Sequence, residues 1–364
     1  MFVAWRDLRF AKGRFALMGA VVVLITLLVG LLSGLTSGLA RENTSAVTGL
    51  PATHLAFAAP AGDQKVSFTS SSVPAGAWER WARQPGVRSA EPVGIRTLNA
   101  SAGTRTAAVS AFGVRPAAGI APVAPQAGRV VLAEKAAKEL GAAAGDRVRV
   151  GGLDLTVAAV AGQAAYSHTP VAWVTLDDWQ RIGTSRSPAA AGSGGPTATV
   201  IALDAAGGAD LAAGDRAAGT RTESLDGALT AIGSYTAENG SLQLMRGFLF
   251  AISALVIGAF FTVWTIQRSG DIAVLKALGA ATPYLLKDAL GQAVLMLAAG
   301  TGLGTACAAG LGAVISGSDV PFVLDAPTVL VPAAVMIVLG VLGAGLSVRR
   351  ITAVDPLTAL GSAR

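Results

Sequence analysis

The stretch FALMGAVVVLITLLVGLLSGLTSGLA fills residues 15–40, between Arg14 and Arg41, without one charged side chain. A helix needs about 20 apolar residues to cross about 30 Å of hydrocarbon, so this stretch reads as a membrane span. The apolar core of a cleaved leader is shorter, about 7–15 residues. Ser37-Gly38-Leu39-Ala40 weakly resembles a cleavage site, but an uncleaved anchor is the expectation. Three more charge-free windows lie downstream: 247–267 between Arg246 and Arg268, 289–318 between Asp288 and Asp319, and 326–348 between Asp325 and Arg349. The third is longer than a span requires, which predicts a tilt, a kink or an early end in its Gly-rich part.

Composition supports the same class. Of 364 residues, 52% are hydrophobic and only 14% charged, against about 25% charged in soluble domains. Mean hydropathy is +0.57. The net charge of +6 would suit nucleic acid. However, the basic residues flank apolar windows and do not cluster with aromatics, so no nucleic-acid partner is expected. Cys307 is the single cysteine and forms no internal disulfide.

Basic residues in short flanks mark the cytoplasmic side. Arg6, Arg9, Lys12 and Arg14 precede the first span. Arg268, Lys276 and Lys287 follow the second, and Arg349, Arg350 and Arg364 follow the fourth. The loop between spans three and four carries Asp319 and Asp325 and no basic residue. Both termini are therefore expected in the cytoplasm, in a multi-pass protein of the plasma membrane.

The expected order starts with a cytoplasmic amphipathic segment (1–14), a first transmembrane helix (15–40) and a large extracytoplasmic domain (41–245). A second helix (246–267) and a cytoplasmic coupling loop (268–288) come next. A third helix (289–318), an outer loop (319–325), a fourth helix (326–348) and a cytoplasmic tail (349–364) complete it. The segment before the first span alternates basic and apolar residues, as a helix on the inner membrane surface would. An ordinary basic flank would read the same way.

The inserted domain reads as α+β. Strands are expected at 66–69, 128–132, 171–175 and 200–203, with a hairpin of 146–150 and 153–160 around Gly151-Gly152. Helices are expected at 77–83, at 133–140 with Gly141 as its stop, and at 176–182. Residues 184–197 are rich in Ser, Gly, Pro and Ala and read as a loop. Residues 225–235 lead into the second span. His54 and His168 stand far apart, with no metalloprotease, nucleophile-elbow or paired-Cys pattern, so no catalytic residue is assigned. A phosphate-cradling loop needs a Gly-Lys pair, and the chain has none. ATP hydrolysis is therefore expected on a separate subunit. An amphipathic stretch at 271–279 would dock on such a partner through Asp271, Leu275, Lys276 and Gly279; the alternative is a helix lying on headgroups.

Two motifs carry a family resemblance. A span followed by DIAVLKALGA (271–280) resembles the cytoplasmic loop of FtsX/MacB-type ABC transporter permeases, and VDPLTAL (354–360) resembles their closing motif. One span, an outer domain and three more spans is also that family's order. LSGLTSGLARENTS (32–45), AYSHTPVAWVTLDD (165–178), SYTAEN (234–239) and AFFTVWTIQRSGDIAVLKALG (259–279) are similar to the HrtB-type haem-efflux subfamily. The resemblance implies a homodimer, two cytoplasmic ATPase subunits, and haem taken from the membrane as substrate, with no intrinsic cofactor. It also implies haem contact at Tyr166 and Tyr235.

Beside the resemblance, the residues allow a haem site in their own right. Arg41 and Arg246 end the first two spans on the outer side, where guanidinium groups would meet propionates. Glu42, Tyr235, Glu238 and Met245 fall at the same level. Tyr235, Glu238, Met245 and His168 are candidate iron ligands, since Tyr, His and Met all ligate haem iron. Arg41–Glu238 and Glu42–Arg246 ion pairs would explain the charges without any ligand. The small residues Gly30, Ser33, Gly34, Ser37 and Gly38 allow close helix approach, to a second copy or to the chain's own second span; the second copy is the expectation. Other readings are export of a peptide antibiotic, lipid or lipoprotein, or a mechanotransmitter like FtsX that transports nothing.

Overall fold

A computed structural model describes residues 12–184, 196–267, 270, 274, 279, 281–316 and 320–352. Its contacts divide the chain into two units: Met1–Gly38 with Gly240–Arg364, and Leu39–Asn239.

The first unit is a helical bundle. Its helices belong to α1 (Lys12–Thr48), α7 (Gly233–Gln267), α8 (Thr282–Ile315) and α9 (Ala326–Thr352). All four are long and apolar enough to cross a membrane. Leu255 is 74% exposed and Val314 77%, which is costly in water and natural in lipid. The bundle has its own core, in which Val29, Ile257, Phe261, Leu297 and Met336 are buried together. The third span is one unbroken helix that starts at Thr282 with a proline in its first turn, where the missing N–H costs nothing.

The small-residue stripe of α1 is filled from within the chain. A Cβ on Gly30 would press on Ala308 of α8; on Gly34 it would enter the Phe322 ring, and on Gly38 the Pro321 carbonyl. For these three glycines the expected use, against a second copy or the second span, is thereby corrected, whereas Ser37 does share a cavity with Arg246 and Phe250 of the second span. The glycines admit α8 and the segment before α9. Asp271, Leu275 and Lys276 lie outside the described residues, as do 1–11 and the 354–360 motif. Gly279 is described, with a left-handed φ of 93°, a conformation glycine adopts without a side-chain penalty.

The second unit is α+β. Its hub is β3 (Val87–Ala102). The first half of β3 pairs with β11 (Val200–Ala205), which pairs with β1 (His54–Ala58), which pairs with β12 (Thr220–Ser224). The second half pairs with β4 (Arg105–Val114) and continues through β9 (Thr169–Thr175), β5 (Arg129–Leu132), β7 (Leu153–Val160) and β6 (Arg147–Val150). β6 returns to β3 at Ala100↔Val150, closing a small barrel. Pro92 sits in the half of β3 whose partner is β11 alone; a missing N–H is tolerated on such an edge.

Two apolar cores flank the sheet. One gathers Trp78 and Trp81 of α2 (Ala75–Trp81), Leu140 of α3 (Glu134–Leu140) and Trp179 of α4 (Leu176–Thr184). In the other, Phe57, Phe68, Tyr166, Phe112 and Trp173 form a chain of ring contacts. The hairpin around Gly151-Gly152 and the stop at Gly141 (φ 63°) are as the sequence predicts. The predicted strand at 66–69 is instead coil and turn. Its alternation reflects one anchor, the buried Phe68. The structure adds β1, β3, β4 and β12. It also adds β2 (Val73–Pro74), paired with β10 (Thr197–Ala198), and helices α5 (Leu211–Ala218) and α6 (Leu225–Ala228).

Candidate functional site

Within the second unit, three distant pieces of sequence meet at one polar junction. The first is the end of α1, carrying Glu42 and Asn43. The second is the turn between β8 (Ala165–Tyr166) and β9, carrying Ser167 and His168. The third is the start of α7, carrying Ser234 and Glu238.

The turn is unusual. Tyr166 pairs with Thr169, leaving a two-residue loop in which both residues have positive φ, 49° at Ser167 and 63° at His168. Such hairpins favour Asn-Gly, because a left-handed conformation costs a side-chain-bearing residue about 1–2 kcal/mol. The backbone holds it there: Ser167 N–H donates to the Asn43 carbonyl at 3.0 Å and His168 N–H to the Glu42 carbonyl at 3.3 Å. Non-glycine residues held in this region concentrate at functional sites.

Asn43 is the centre, 1% exposed. Its Oδ1 accepts from Ser234 Oγ at 2.6 Å, and its Nδ2 donates to Glu238 Oε2 at 3.0 Å. His168 Nε2 lies 2.8 and 2.9 Å from the two Glu238 oxygens and 2.8 Å from Asn43 Nδ2. Because that amide nitrogen is itself a donor, a proton on Nε2 goes to the carboxylate. Ser167 Oγ and Ser234 Oγ are 2.9 Å apart. On the other side of the ring, Glu42 Oε2 is 3.8 Å from His168 Nδ1, and Lys135 of α3 donates to Glu42 Oε1 at 2.7 Å. Lys135, Glu42, His168 and Glu238 thus form one half-exposed polar network.

The structure therefore unites three of the predicted residues, Glu42, His168 and Glu238. It gives the two glutamates other partners than the Arg246 and Arg41 considered from sequence. Arg41 is exposed beside them. Tyr235 is half-buried against the aromatic core. Tyr166 is buried with its ring edge-on to Phe68 and Phe112, and burial pushes its phenol well above the usual range. Met245 and Arg246 belong to the bundle, where Met245 is 49% exposed. Among the described residues no cluster of His, Cys, Asp and Glu is arranged to hold a metal ion. Asn43, Ser167, Ser234 and Lys135 escaped sequence reasoning. Three of them lie inside the LARENTS, YSH and SYTAEN segments that carry the subfamily resemblance, and that coincidence was the available signal.

Compared with known proteins, residues 18–220 match the MacB-like periplasmic core domain, and residues 244–356 match the FtsX-like permease C-terminal family. A Staphylococcus epidermidis protein named as hemin transport system permease HrtB is 27% identical, over 59% of this chain and 59% of its own length. A Staphylococcus haemolyticus protein of the same name is 39% identical, over 36% of this chain and 37% of its own length. The matched part thus spans less than two thirds of either relative. The extracellular domain of the noncanonic ABC-type transporter YknZ from Gram-positive bacteria superposes with a TM-score of 0.34 at 13% identity, covering 47% of this chain and 98% of that one.

Proposed function

We propose that this chain, which belongs to the FtsX/MacB family of ABC-type transporter permeases, exports haem from the outer leaflet without hydrolysing ATP itself. Permeases of this family are transport components and not enzymes, and this one is a membrane protein with an extracellular domain. The finer reading adds haem as cargo, two cytoplasmic ATPase subunits, a second copy of the chain, and both termini in the cytoplasm.

The observation that carries this reading is the junction at Asn43. α1 and α7 each continue unbroken from an apolar span into the outer domain. Their domain ends are joined through Asn43, Ser234 and Glu238 and clamped by the Ser167-His168 turn. A push on one helix from an ATPase docked at Asp271, Leu275, Lys276 and Gly279 would therefore reach the other, and the domain with it. Haem as cargo is supported by the relatives named for hemin transport. It is also supported by the meeting, in one place, of three of the four segments that resemble their subfamily. In this reading Arg41 and Arg246 take propionates. Tyr235, Glu238, Met245 or His168 takes the iron, and Tyr166 shapes the core beneath the turn.

Titration of haemin into the purified chain in nanodiscs tests the cargo. A saturable Soret band is expected for wild type, with affinity lowered about tenfold or more in Tyr235→Ala. A band that grows without saturation, equal in both proteins, would contradict haem binding at this site.

A further inference from the structure

The bundle carries an open-sided cavity of about 240 Å³, lined by Ser37 of α1, Arg246 and Phe250 of α7, and Pro327, Val331 and Val335 of α9. Its wall is mostly apolar, with Ser37, Thr328 and Arg246 as its polar members, and two features of it matter for a ligand. Arg246 Nε is buried and has no hydrogen-bond partner among the described residues. A buried guanidinium N–H without an acceptor costs more than a neutral donor would, so an anion here satisfies a standing demand and not a general attraction. The second feature is backbone. Pro332, inside α9, also lines the cavity together with Thr328. Proline has no N–H, so the Thr328 carbonyl lacks its intrahelical donor. The slot therefore combines a charged donor with a helix turn whose Thr328 carbonyl lacks its usual donor.

We infer that this slot binds the headgroup of an anionic phospholipid, with the phosphate on Arg246 and a headgroup hydroxyl donating to the Thr328 carbonyl. Size selects a headgroup over a whole amphiphile, because pockets that engulf small molecules run to about 300–1,000 Å³. The acyl chains have somewhere to lie: Phe248 and Ile252 on α7 and Leu330 on α9 are 62%, 56% and 61% exposed on the bundle surface. α7 enters the bundle from the extracellular domain, so Arg246 stands near that end and the lipid comes from the outer leaflet. The site rests on the family's membrane placement and not on haem being the cargo. A propionate reaching Arg246 would have to displace the lipid.

The full chain in detergent, free of haemin, is titrated with phosphatidylglycerol, phosphatidylcholine or sn-glycerol 3-phosphate. Thermal unfolding and lipid retention by native mass spectrometry are both read. Phosphatidylglycerol is expected to raise the midpoint and to be retained at one molecule per chain, with phosphatidylcholine giving no shift. Retention should fall at least tenfold in Arg246→Gln, which removes the charge, and in Val335→Phe, which fills the slot from another helix. Equal retention in wild type and both variants would overturn the site. A shift of the same size from glycerol 3-phosphate would overturn the lipid and leave only an anion site. Lipid retention is read without haemin, and the Soret titration turns on Tyr235, so the two readings fail separately.

Discussion

Asn43 is itself buried and makes its contacts with groups 125 and 195 residues away in the chain, so its removal unties half-exposed partners and empties a buried polar site. A hydrogen bond lost among half-exposed groups costs about 0.5–1.5 kcal/mol. Asn43→Ala should therefore lower the thermal midpoint measurably, and Asn43→Asp should not restore it, since a second carboxylate would face Glu238. A midpoint unchanged in Asn43→Ala would show that the junction carries no load. Tyr166 gives a prediction in pH. An unfolded chain releases a tyrosine proton near pH 10, whereas burial holds the Tyr166 proton to higher pH. The folded state then binds more protons above pH 10, so the contribution of Tyr166 to stability is full below that pH and falls as pH rises beyond it. Melting measured between pH 9 and 11 should show this decline, shallower in Tyr166→Phe. Sequence reasoning nominated Glu42, His168 and Glu238 by chemical type, because charged and imidazole side chains announce themselves. Asn43, Ser167 and Ser234 are neutral and common, and their meaning lies in contacts that no spacing reveals.

Among elements, the pairing of β3 and β4 turns on two glycines. Gly94 and Gly113 face each other across the ladder, and a Cβ on either would enter the Trp179 side chain. The indole of α4 therefore lies on bare backbone, with the Arg96 guanidinium 4.4 Å above its ring. Overpacking a filled core costs about 1–3 kcal/mol, so Gly113→Ala should lower the midpoint. Gly76→Ala in α2 should not, since its added Cβ meets nothing closer than 3.8 Å. Equal effects of the two would contradict the packing. The same glycines explain why β3 and β4 were missed. VRSAEPVGIRTLNASA is rich in Ala, Ser, Gly and Pro, where strands usually show β-branched and aromatic residues. Trp179 supplies from α4 the bulk that the strand omits. The four spans were legible because lipid imposes one simple demand, a long charge-free helix. The hairpin at Gly151-Gly152 and the stop at Gly141 were legible because turn chemistry is local.

At the scale of the molecule, the chain combines an extracellular α+β domain with a four-helix membrane unit, and two helices run through both. The MacB-like and FtsX-like matches cover these parts in that order. Such a body moves cargo only if motion at the cytoplasmic end reaches the outer domain, which is the role we assign to α1, α7 and the turn that clamps them. Gly30, Gly34 and Gly38 of α1 pack inside the chain, so the second copy in our reading must meet another surface. The most direct test of the whole account is haemin tolerance in cells that lack this chain, with growth compared after return of wild type or of Asn43→Ala. Tolerance should fall at least tenfold without the chain, recover with wild type and stay low with a membrane-inserted Asn43→Ala. Tolerance that does not change when the chain is removed would contradict haem export.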